Sequence, residues 1–163
     1  MWEQKVLLNQ MLTAIKDSKI DITSEKSTRE LAEKFTSYFK GGEYLFLYGE
    51  MGVGKTTFVK YFINKFQIKE ELEITEVTSP TFNLLNEYET NNFMIKHYDL
   101  FRIKNSSEIK DLDIFEKDEK IITLVEWPQL LRKSNIVKKI DLFFTYENEL
   151  KTRTVEIIGL SSF

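Results

Sequence analysis

The order of apolar and polar positions predicts a domain in which strands and helices alternate at first and strands dominate later. The continuous apolar run at 44–48, YLFLY, is typical of a strand buried on both faces of a parallel sheet. Apolar residues then recur at three- and four-residue spacing over 55–66, which predicts a helix. Runs at 121–125, 137–146 and 152–158 predict further strands. We therefore expect an α/β fold of three layers with a mixed, mainly parallel central sheet.

The rest of the chain divides into an N-terminal extension and one domain. Residues 1–18 are expected to form a helical extension, because apolar side chains follow helical spacing over 3–16. Residues 19–163 are expected to form a single domain, as a length of 163 residues indicates. Its further predicted elements are a short strand at Ile20–Ile22, a helix capped by Ser24 and running to about Phe39, a hairpin of 82–89 with 93–99, and a helix over 106–117 with Ser106 as its cap.

Composition supports a folded protein and weakens the case for direct nucleic-acid binding. Apolar residues make up 42% of the chain and aromatic residues 13%, which is enough for a core and argues against disorder. The net charge of −3, from 23 basic and 26 acidic residues, gives no field that would hold nucleic acid. We therefore expect no DNA partner, and RNA contact only through another protein.

Several classes of site and location are excluded or disfavoured by what the sequence lacks. The absence of cysteine excludes disulfides, thiolate zinc sites and cysteine nucleophiles. His97 is the single histidine, so a multi-histidine metal site is excluded as well. There is no unbroken apolar stretch that would suit a signal peptide or a membrane span. A cytoplasmic protein with no membrane contact is the expectation.

The octet Gly49–Thr56, GEMGVGKT, fits the phosphate-binding pattern Gly-x-x-x-x-Gly-Lys-Ser/Thr. Glycines let the backbone turn through positive φ and approach a phosphate closely, and successive N–H groups then form an anion-binding concavity. Lys55 can reach the β- and γ-phosphates, and the Thr56 hydroxyl can bind Mg2+. The alternative is a plain glycine-rich turn. However, the octet lies between a predicted strand and a predicted helix, where phosphate binding requires it.

A nucleotide hydrolase also needs an acidic side chain near Mg2+, at the end of a strand beside the loop. Asp99 ends the run FMIKHYD, and Glu126 ends the run IITLVE. For each residue the alternative is a carboxylate that only caps a strand or helix. A phosphate-binding loop in the same domain favours a metal role for at least one of the two. The residues alone leave the two candidates equal.

Other residues could contact a nucleotide or could serve the fold alone. Hydroxyls on both sides of Pro80, from Ser79 and Thr81, could contact the γ-phosphate or its metal, and a plain turn is the alternative. Trp127 could stack on a base or a partner, and a core position is the alternative. His97 is interpreted as a structural histidine rather than a base.

Four segments occur in an order and spacing that resemble the bacterial TsaE family, formerly YjeE. They are GEMGVGKTTF, TSPTFNLLNEY, HYDLFR and LVEWP, and the resemblance covers about residues 20–158. The family consists of small P-loop ATPases required for making threonylcarbamoyladenosine in tRNA. The resemblance implies ATP or ADP and Mg2+ as cofactors. It also implies TsaD, which transfers the threonylcarbamoyl group, and its companion TsaB as partners, with tRNA contacted only indirectly through the complex.

The resemblance implies roles for individual residues. Lys55, Asp99 and Glu126 would be catalytic, with Lys55 on the β- and γ-phosphates and Asp99 orienting water or the metal shell. Thr56 and Glu126 would bind Mg2+. The segment 79–82 would act as a switch. The other expected nucleotide contacts are Met51, Gly52, Val53, Gly54, Thr57, Glu25, Thr28, Ser79, Thr81, Trp127 and Arg153.

The chain departs from the family pattern at two positions and in its first 18 residues. Val53 stands where the family more often has a small residue, and Phe101 stands where a tyrosine is common. Both changes are mild. Residues 1–18 have no counterpart in the family pattern.

The leading hypothesis is a Mg2+-dependent ATPase subunit that supports turnover of TsaD with TsaB. The alternative is a nucleotide-gated protein-binding module with weak basal hydrolysis. A small-molecule kinase is disfavoured, because a chain with four arginines offers no arginine-rich lid. A GTPase is disfavoured too, because the sequence lacks an Asn-Lys-x-Asp segment to bind guanine and an Asp-x-x-Gly switch.

Overall fold

A computed structural model describes residues 19–131 and 135–159, which form a seven-stranded mixed sheet with helices. The strands are β1 (Ile20–Asp21), β2 (Tyr44–Tyr48), β3 (Leu85–Glu89), β4 (Met94–Asp99), β5 (Ile121–Glu126), β6 (Lys139–Glu147) and β7 (Thr152–Ile158). The helices are α1 (Glu25–Phe35), α2 (Lys55–Lys69) and the short α3 (Ser106–Ile109). Single 3-10 turns cover Thr36–Tyr38, Lys110–Leu112 and Pro128–Leu131. The predicted helix over 3–16 lies outside the described residues.

Parallel strands form the centre of the sheet and antiparallel strands form its edges. The strand order is β1-β7-β6-β2-β5-β4-β3. The pairings of β2 with β6, β2 with β5 and β4 with β5 are parallel, and the other three are antiparallel. Strand β2, YLFLY, lies in the middle and is buried along its whole length, as its continuous apolar run predicts. The mixed α/β fold predicted from the sequence is therefore confirmed.

The two faces of the sheet are covered differently. Helices α1 and α2 cover the first face, where Leu45, Leu47 and Leu124 of the sheet join a cluster rich in phenylalanine. The second face is covered by α3 and the 3-10 turns Lys110–Leu112 and Pro128–Leu131, where Phe46 and Tyr98 pack with Ile114. The three layers are thus two full helices, a sheet, and a layer of short turns.

The helix predicted over 106–117 is wrong in length and in its cap. Helix α3 spans only Ser106–Ile109, and a 3-10 turn follows it. Asp113 then adopts a left-handed conformation with φ 48°, which an α-helix cannot continue through. The cap is Asn105 instead of Ser106: its side chain accepts from the backbone of Glu108, whose carboxylate accepts from the Asn105 N–H. Apolar spacing alone did not reveal this break.

The other helix boundaries agree more closely with the pattern. Ser24 caps α1 by accepting from the Ser27 N–H at 3.0 Å, as expected. The α-helix ends at Phe35, and a 3-10 turn carries the chain on toward Phe39. Helix α2 continues past its predicted end to Lys69. Within the described residues, no helix is long and apolar enough to cross a membrane.

Candidate functional site

A cleft of about 240 Å³ lies where the parallel strands β2, β4 and β5 end. Because the carboxyl ends of parallel strands meet at one edge of the sheet, residues distant in sequence converge there. Its lining residues are Met51, Gly52, Gly54, Lys55, Thr56, Thr57, Ser79, Thr81, Asp99, Phe101, Glu126 and Trp127. Two larger clefts, of about 720 and 670 Å³, share no lining residue with it.

The loop Gly49–Gly54 connects β2 to α2 and forms the floor of the cleft. Gly49 has φ 142°, and a Cβ there would lie 2.6 Å from the Phe144 carbonyl oxygen, so only glycine fits. Gly54 has φ 116° and is the residue directly before α2. Helix α2 has 15 residues, and its N-terminus therefore presents unpaired N–H groups and a positive dipole end at the cleft. This local structure suits a phosphate.

Lys55, the first residue of α2, folds back over the loop. Its Nζ donates to the carbonyl oxygens of Gly49 and Glu50, both at 2.8 Å. It also lies 4.2 Å from the centre of the Trp127 ring. Burial lowers the pKa of Lys55 from its ordinary value, and the negative charges of Glu126 and Asp99 partly oppose that shift. The amine is therefore a nearly buried cation held at the cleft by carbonyls and a ring.

Glu126 ends β5 and connects the loop helix to the sheet. The Thr56 hydroxyl donates to it, at 2.8 Å from Oε1 and 3.0 Å from Oε2. His97 Nε2 lies 2.9 Å from the same Oε1. Glu126 and His97 are both buried. Two of the expected metal-binding oxygens, those of Thr56 and Glu126, are thus in direct contact.

Asp99 ends β4 directly opposite Glu126 in the sheet register. Its Oδ2 accepts from the hydroxyls of Ser79 at 2.5 Å and Thr81 at 2.7 Å. Its Oδ1 accepts from the Phe101 N–H at 2.9 Å. Asp99 therefore ties the predicted switch segment to the sheet, while Glu126 ties the sheet to the phosphate-binding loop. The two acids that the sequence left equal have different neighbours.

Other predicted contacts border the cleft to different degrees. Trp127 lies at the rim with a φ of 58°, and its ring packs on Phe101 at 4.9 Å. Val53 is fully buried behind the loop and does not line the cleft. The Arg153 guanidinium lies beside Gly54 and donates to the Thr23 carbonyl.

Two predicted contacts on α1 lie apart from the cleft lining. The Thr28 hydroxyl donates to the carbonyl oxygens of Ile22 and Ser24, both at 3.2 Å, so it serves the start of α1. The Glu25 carboxylate accepts from the hydroxyl of Tyr61 on α2. Their contacts with a nucleotide stay predictions.

The sequence interpretation missed the place of His97. This side chain is fully buried and contacts Glu126, although it does not line the cleft. The available signal was the alternation of a strand: His97 and Asp99 are two residues apart on β4 and therefore point to the same face.

The residues at the cleft fit a magnesium nucleotide. Mg2+ in such sites is held by one or two protein oxygens together with phosphates and water, and Thr56 and Glu126 offer such oxygens in contact with each other. The described part of the chain contains no group of three or more His, Asp or Glu side chains that could hold a metal ion. A site completed by phosphate oxygens does not require one.

Comparison with known proteins identifies relatives over most of the chain. A family model described as "Threonylcarbamoyl adenosine biosynthesis protein TsaE" matches residues 22–155, more than half of the chain. A Rickettsia typhi protein named "tRNA threonylcarbamoyladenosine biosynthesis protein TsaE" is 39% identical over 111 residues, covering 68% of this chain and 74% of that protein. A protein of the same name from Aquifex aeolicus is 36% identical over 135 residues, covering 83% and 93%. Another from Borreliella burgdorferi is 33% identical over 144 residues, covering 86% and 98%.

A solved structure shares the fold. The crystal structure of YdiB from Bacillus subtilis matches with a TM-score of 0.65, covering 89% of this chain and 88% of YdiB. The sequences are 21% identical in that comparison, so this likeness shows the architecture alone.

Proposed function

This chain belongs to the TsaE family of tRNA threonylcarbamoyladenosine biosynthesis, and we propose that it is a Mg2+-dependent ATPase subunit that supports turnover of TsaD with TsaB. One observation carries the proposal. The phosphate-binding loop, the Thr56 hydroxyl and the Glu126 carboxylate meet in one cleft, with Thr56 and Glu126 in direct hydrogen bond. A phosphate cradle joined to a carboxylate at a strand end is what phosphoryl transfer needs.

The loop and α2 would bind the phosphates. The N–H groups at the start of α2 would donate to phosphate oxygens, and the dipole would favour their negative charge. Lys55 would exchange the carbonyl oxygens of Gly49 and Glu50 for oxygens of the β- and γ-phosphates. Because the amine is nearly buried, its attraction for phosphate is little screened by water.

Thr56 and Glu126 would hold Mg2+, which supplies charge neutralisation at the β- and γ-phosphate oxygens when bound. Thr56 would then turn its hydroxyl hydrogen away from Glu126, which frees both oxygens to face the metal. Asp99 would orient the attacking water or a water of the metal shell. The hydroxyls of Ser79 and Thr81 donate to Asp99 at the cleft. The switch segment would therefore change conformation when the nucleotide bound in the cleft changes.

The alternative function is a nucleotide-gated binding module with weak basal hydrolysis. Exposed apolar side chains favour this second candidate: Met51 and Phe101 line the cleft and are 66% and 46% exposed, and Phe82, which follows the lining residue Thr81, is 84% exposed. Exposed apolar groups beside a nucleotide site suit a partner surface. In both candidates TsaD and TsaB are the proposed partners, tRNA is contacted only through them, and the protein acts in the cytoplasm.

Steady-state phosphate release measured with Mg2+–ATP, with and without TsaD and TsaB, tests the proposal. The ATPase function predicts that the isolated protein hydrolyses ATP and that this hydrolysis requires Mg2+. The binding module is supported if the isolated protein hydrolyses almost no ATP and the partners raise the rate tenfold or more. A tenfold rise corresponds to a decrease in the activation free energy on the order of 1.4 kcal/mol. No hydrolysis under either condition contradicts both. Tighter binding of GTP than of ATP contradicts the proposed adenine nucleotide.

A further inference from the structure

The buried imidazole of His97 contacts the carboxylate that is proposed to bind the metal. His97 lies on β4, paired with Leu124 of the neighbouring β5, two residues before Asp99 and Glu126 in the two strands. Its side chain is 0% exposed and that of Glu126 is 3% exposed. The Nε2–Oε1 distance of 2.9 Å is that of a hydrogen bond. His97 does not line the cleft itself, and its hydrogen bond to Glu126 connects it to the cleft.

The chemistry of the two groups fixes the direction of this bond. An ionised carboxylate only accepts hydrogen bonds, so an ionised Glu126 requires that Nε2 carries the proton and donates it to Oε1. Nδ1 is buried and finds no hydrogen-bond partner in the described part of the chain. The ring is therefore held to one polar contact, and that contact is with Glu126. A histidine needed only for packing would be replaceable by an apolar side chain at this position.

The two oxygens of Glu126 differ in their hydrogen-bond contacts. Oε1 receives the His97 N–H and the shorter of the two Thr56 contacts, whereas Oε2 has, among the described residues, only the Thr56 contact at 3.0 Å. A carboxylate oxygen has about two acceptor sites, so Oε2 keeps capacity for a metal or a water. The hydrogen bond from the imidazole to Oε1 restrains rotation of the carboxylate.

We propose that His97 is a positioning residue: its Nε2–H holds the Glu126 carboxylate in the orientation that binds Mg2+. This inference rests on the proposed function and extends it by one residue. Groups that hydrogen-bond to a metal-binding carboxylate act on metal affinity, and their loss changes it by about 10- to 100-fold. Loss of His97 is expected to weaken the affinity for Mg2+ and to leave the affinity for the phosphates unchanged. The described hydrogen bond of His97 is to Glu126 and not to the loop Gly49–Gly54.

Three substitutions separate positioning from packing. H97Q keeps an amide donor at about the reach of Nε2, H97N has a donor that is too short to reach Glu126, and H97L has none. Equilibrium binding of a fluorescent ADP analogue is titrated with MgCl2, and repeated in EDTA. We expect the Mg2+ concentration for half-maximal effect to rise about 10- to 100-fold in H97N and H97L and only a few-fold in H97Q. Binding in EDTA should stay unchanged in all three.

A matched control on the same strand is Y98F, which removes a buried hydroxyl that donates to Leu112 on the opposite face of the sheet. It should leave the Mg2+ titration unchanged. Equal shifts in H97Q and H97N, or no shift in H97N, overturn the inference. If H97L does not fold, the comparison of H97Q with H97N still decides. If nucleotide binding by the wild-type protein does not depend on Mg2+, the proposed metal site is wrong as well. This result distinguishes failure of the metal site from failure of the role of His97 alone.

Discussion

The two faces of the sheet differ in what covers them and in what they contribute to the cleft. On the first face, α1 and α2 bury a continuous cluster in which Phe35 and Phe58 meet edge to face at 5.6 Å. On the second face, short turns cover a cluster with several tyrosines, and Tyr98 donates to the Leu112 carbonyl at 2.8 Å. The charged groups of the cleft belong to the first face, because Glu126 follows Leu124 at the two-residue spacing of a strand.

This difference indicates why the cleft lies where it does. Phosphate and metal binding need groups held in fixed positions, and a full helix packed on a sheet fixes its first residues well. Lys55 and Thr56 begin such a helix, and the carboxylate they face ends a fully buried strand. The second face is covered by elements of three or four residues, which we expect to shift more easily than a full helix. The comparison therefore predicts that function depends on the first face and that the second face is more tolerant of change.

The largest effect is expected at the first-face cleft itself. Lys55→Ala and Glu126→Ala should each reduce ATP hydrolysis by about 1,000-fold, roughly 4 kcal/mol, because each removes a charge that the proposed function places at the reacting phosphates and their metal. Circular dichroism should show a retained fold, although Glu126→Ala leaves the Thr56 hydroxyl and His97 without an acceptor at a cost of about 1–3 kcal/mol. The measurement is phosphate release with saturating Mg2+–ATP.

Glu149→Gln is the matched control, because it also removes a carboxylate, from a side chain that is 91% exposed. Its turnover should equal that of the wild type. If Lys55→Ala and Glu126→Ala both turn over normally, the assignment of the site is wrong.

The second test compares one isoleucine from each face. Ile63→Ala, on α2, should destabilise the fold by about 4 kcal/mol, because the surrounding helices and sheet cannot collapse into the cavity. Ile114→Ala, in the turn after Asp113, should cost only about 2 kcal/mol, because an irregular turn can relax. Both side chains are almost fully buried, so exposure does not explain a difference. Urea unfolding measures both, and equal losses would remove the distinction between the faces.

The first face was also the better predicted one. The spacing of Phe58, Phe62 and Phe66 on α2 is a strong signal because a long helix repeats a single pattern. On the second face, the pattern over 106–117 continues through Asp113, whose left-handed backbone ends the helical path. A single residue that changes conformation leaves no trace in apolar spacing.

The sequence predicted which residues to consider at the cleft, and it did not predict which of them contact each other. The glycine and lysine positions of the loop predict a phosphate-binding turn from sequence, because such a turn requires those residue types. Which acid faces Thr56 depends on the strand order, which places β5 beside β2 and β4 beyond it. The partner of His97 depends on the same pairing. Sheet order arises from long-range packing, so these contacts could not be deduced from the local pattern.

The pH dependence of stability provides a third test, directed at the second face. Burial raises the pKa of Tyr98 from 10.0 to about 12. Between pH 10 and pH 12 the unfolded chain releases this proton and the folded chain keeps it, so stability falls as pH rises, by up to about 3 kcal/mol. Urea unfolding of wild type and Y98F at pH 9 and pH 11.5 isolates this residue. The decrease in the free energy of unfolding between the two pH values should be smaller in Y98F than in the wild type. Equal decreases would show that Tyr98 is not their cause.

The smallest effect is expected at the helix caps, one for each face. Ser24→Ala removes the acceptor for the Ser27 N–H at the start of α1 and should cost about 1 kcal/mol. Asn105→Ala removes the cap of α3, which has four residues and anchors only the second face, so we expect a loss of a few tenths of a kcal/mol, below the usual range for a cap. Thermal unfolding of both variants, with Ser37→Ala as an exposed serine control, resolves the difference. A larger loss from Asn105→Ala would mean that the short turns stabilise the fold as much as the full helices do, and the greater tolerance expected of the second face would then be wrong.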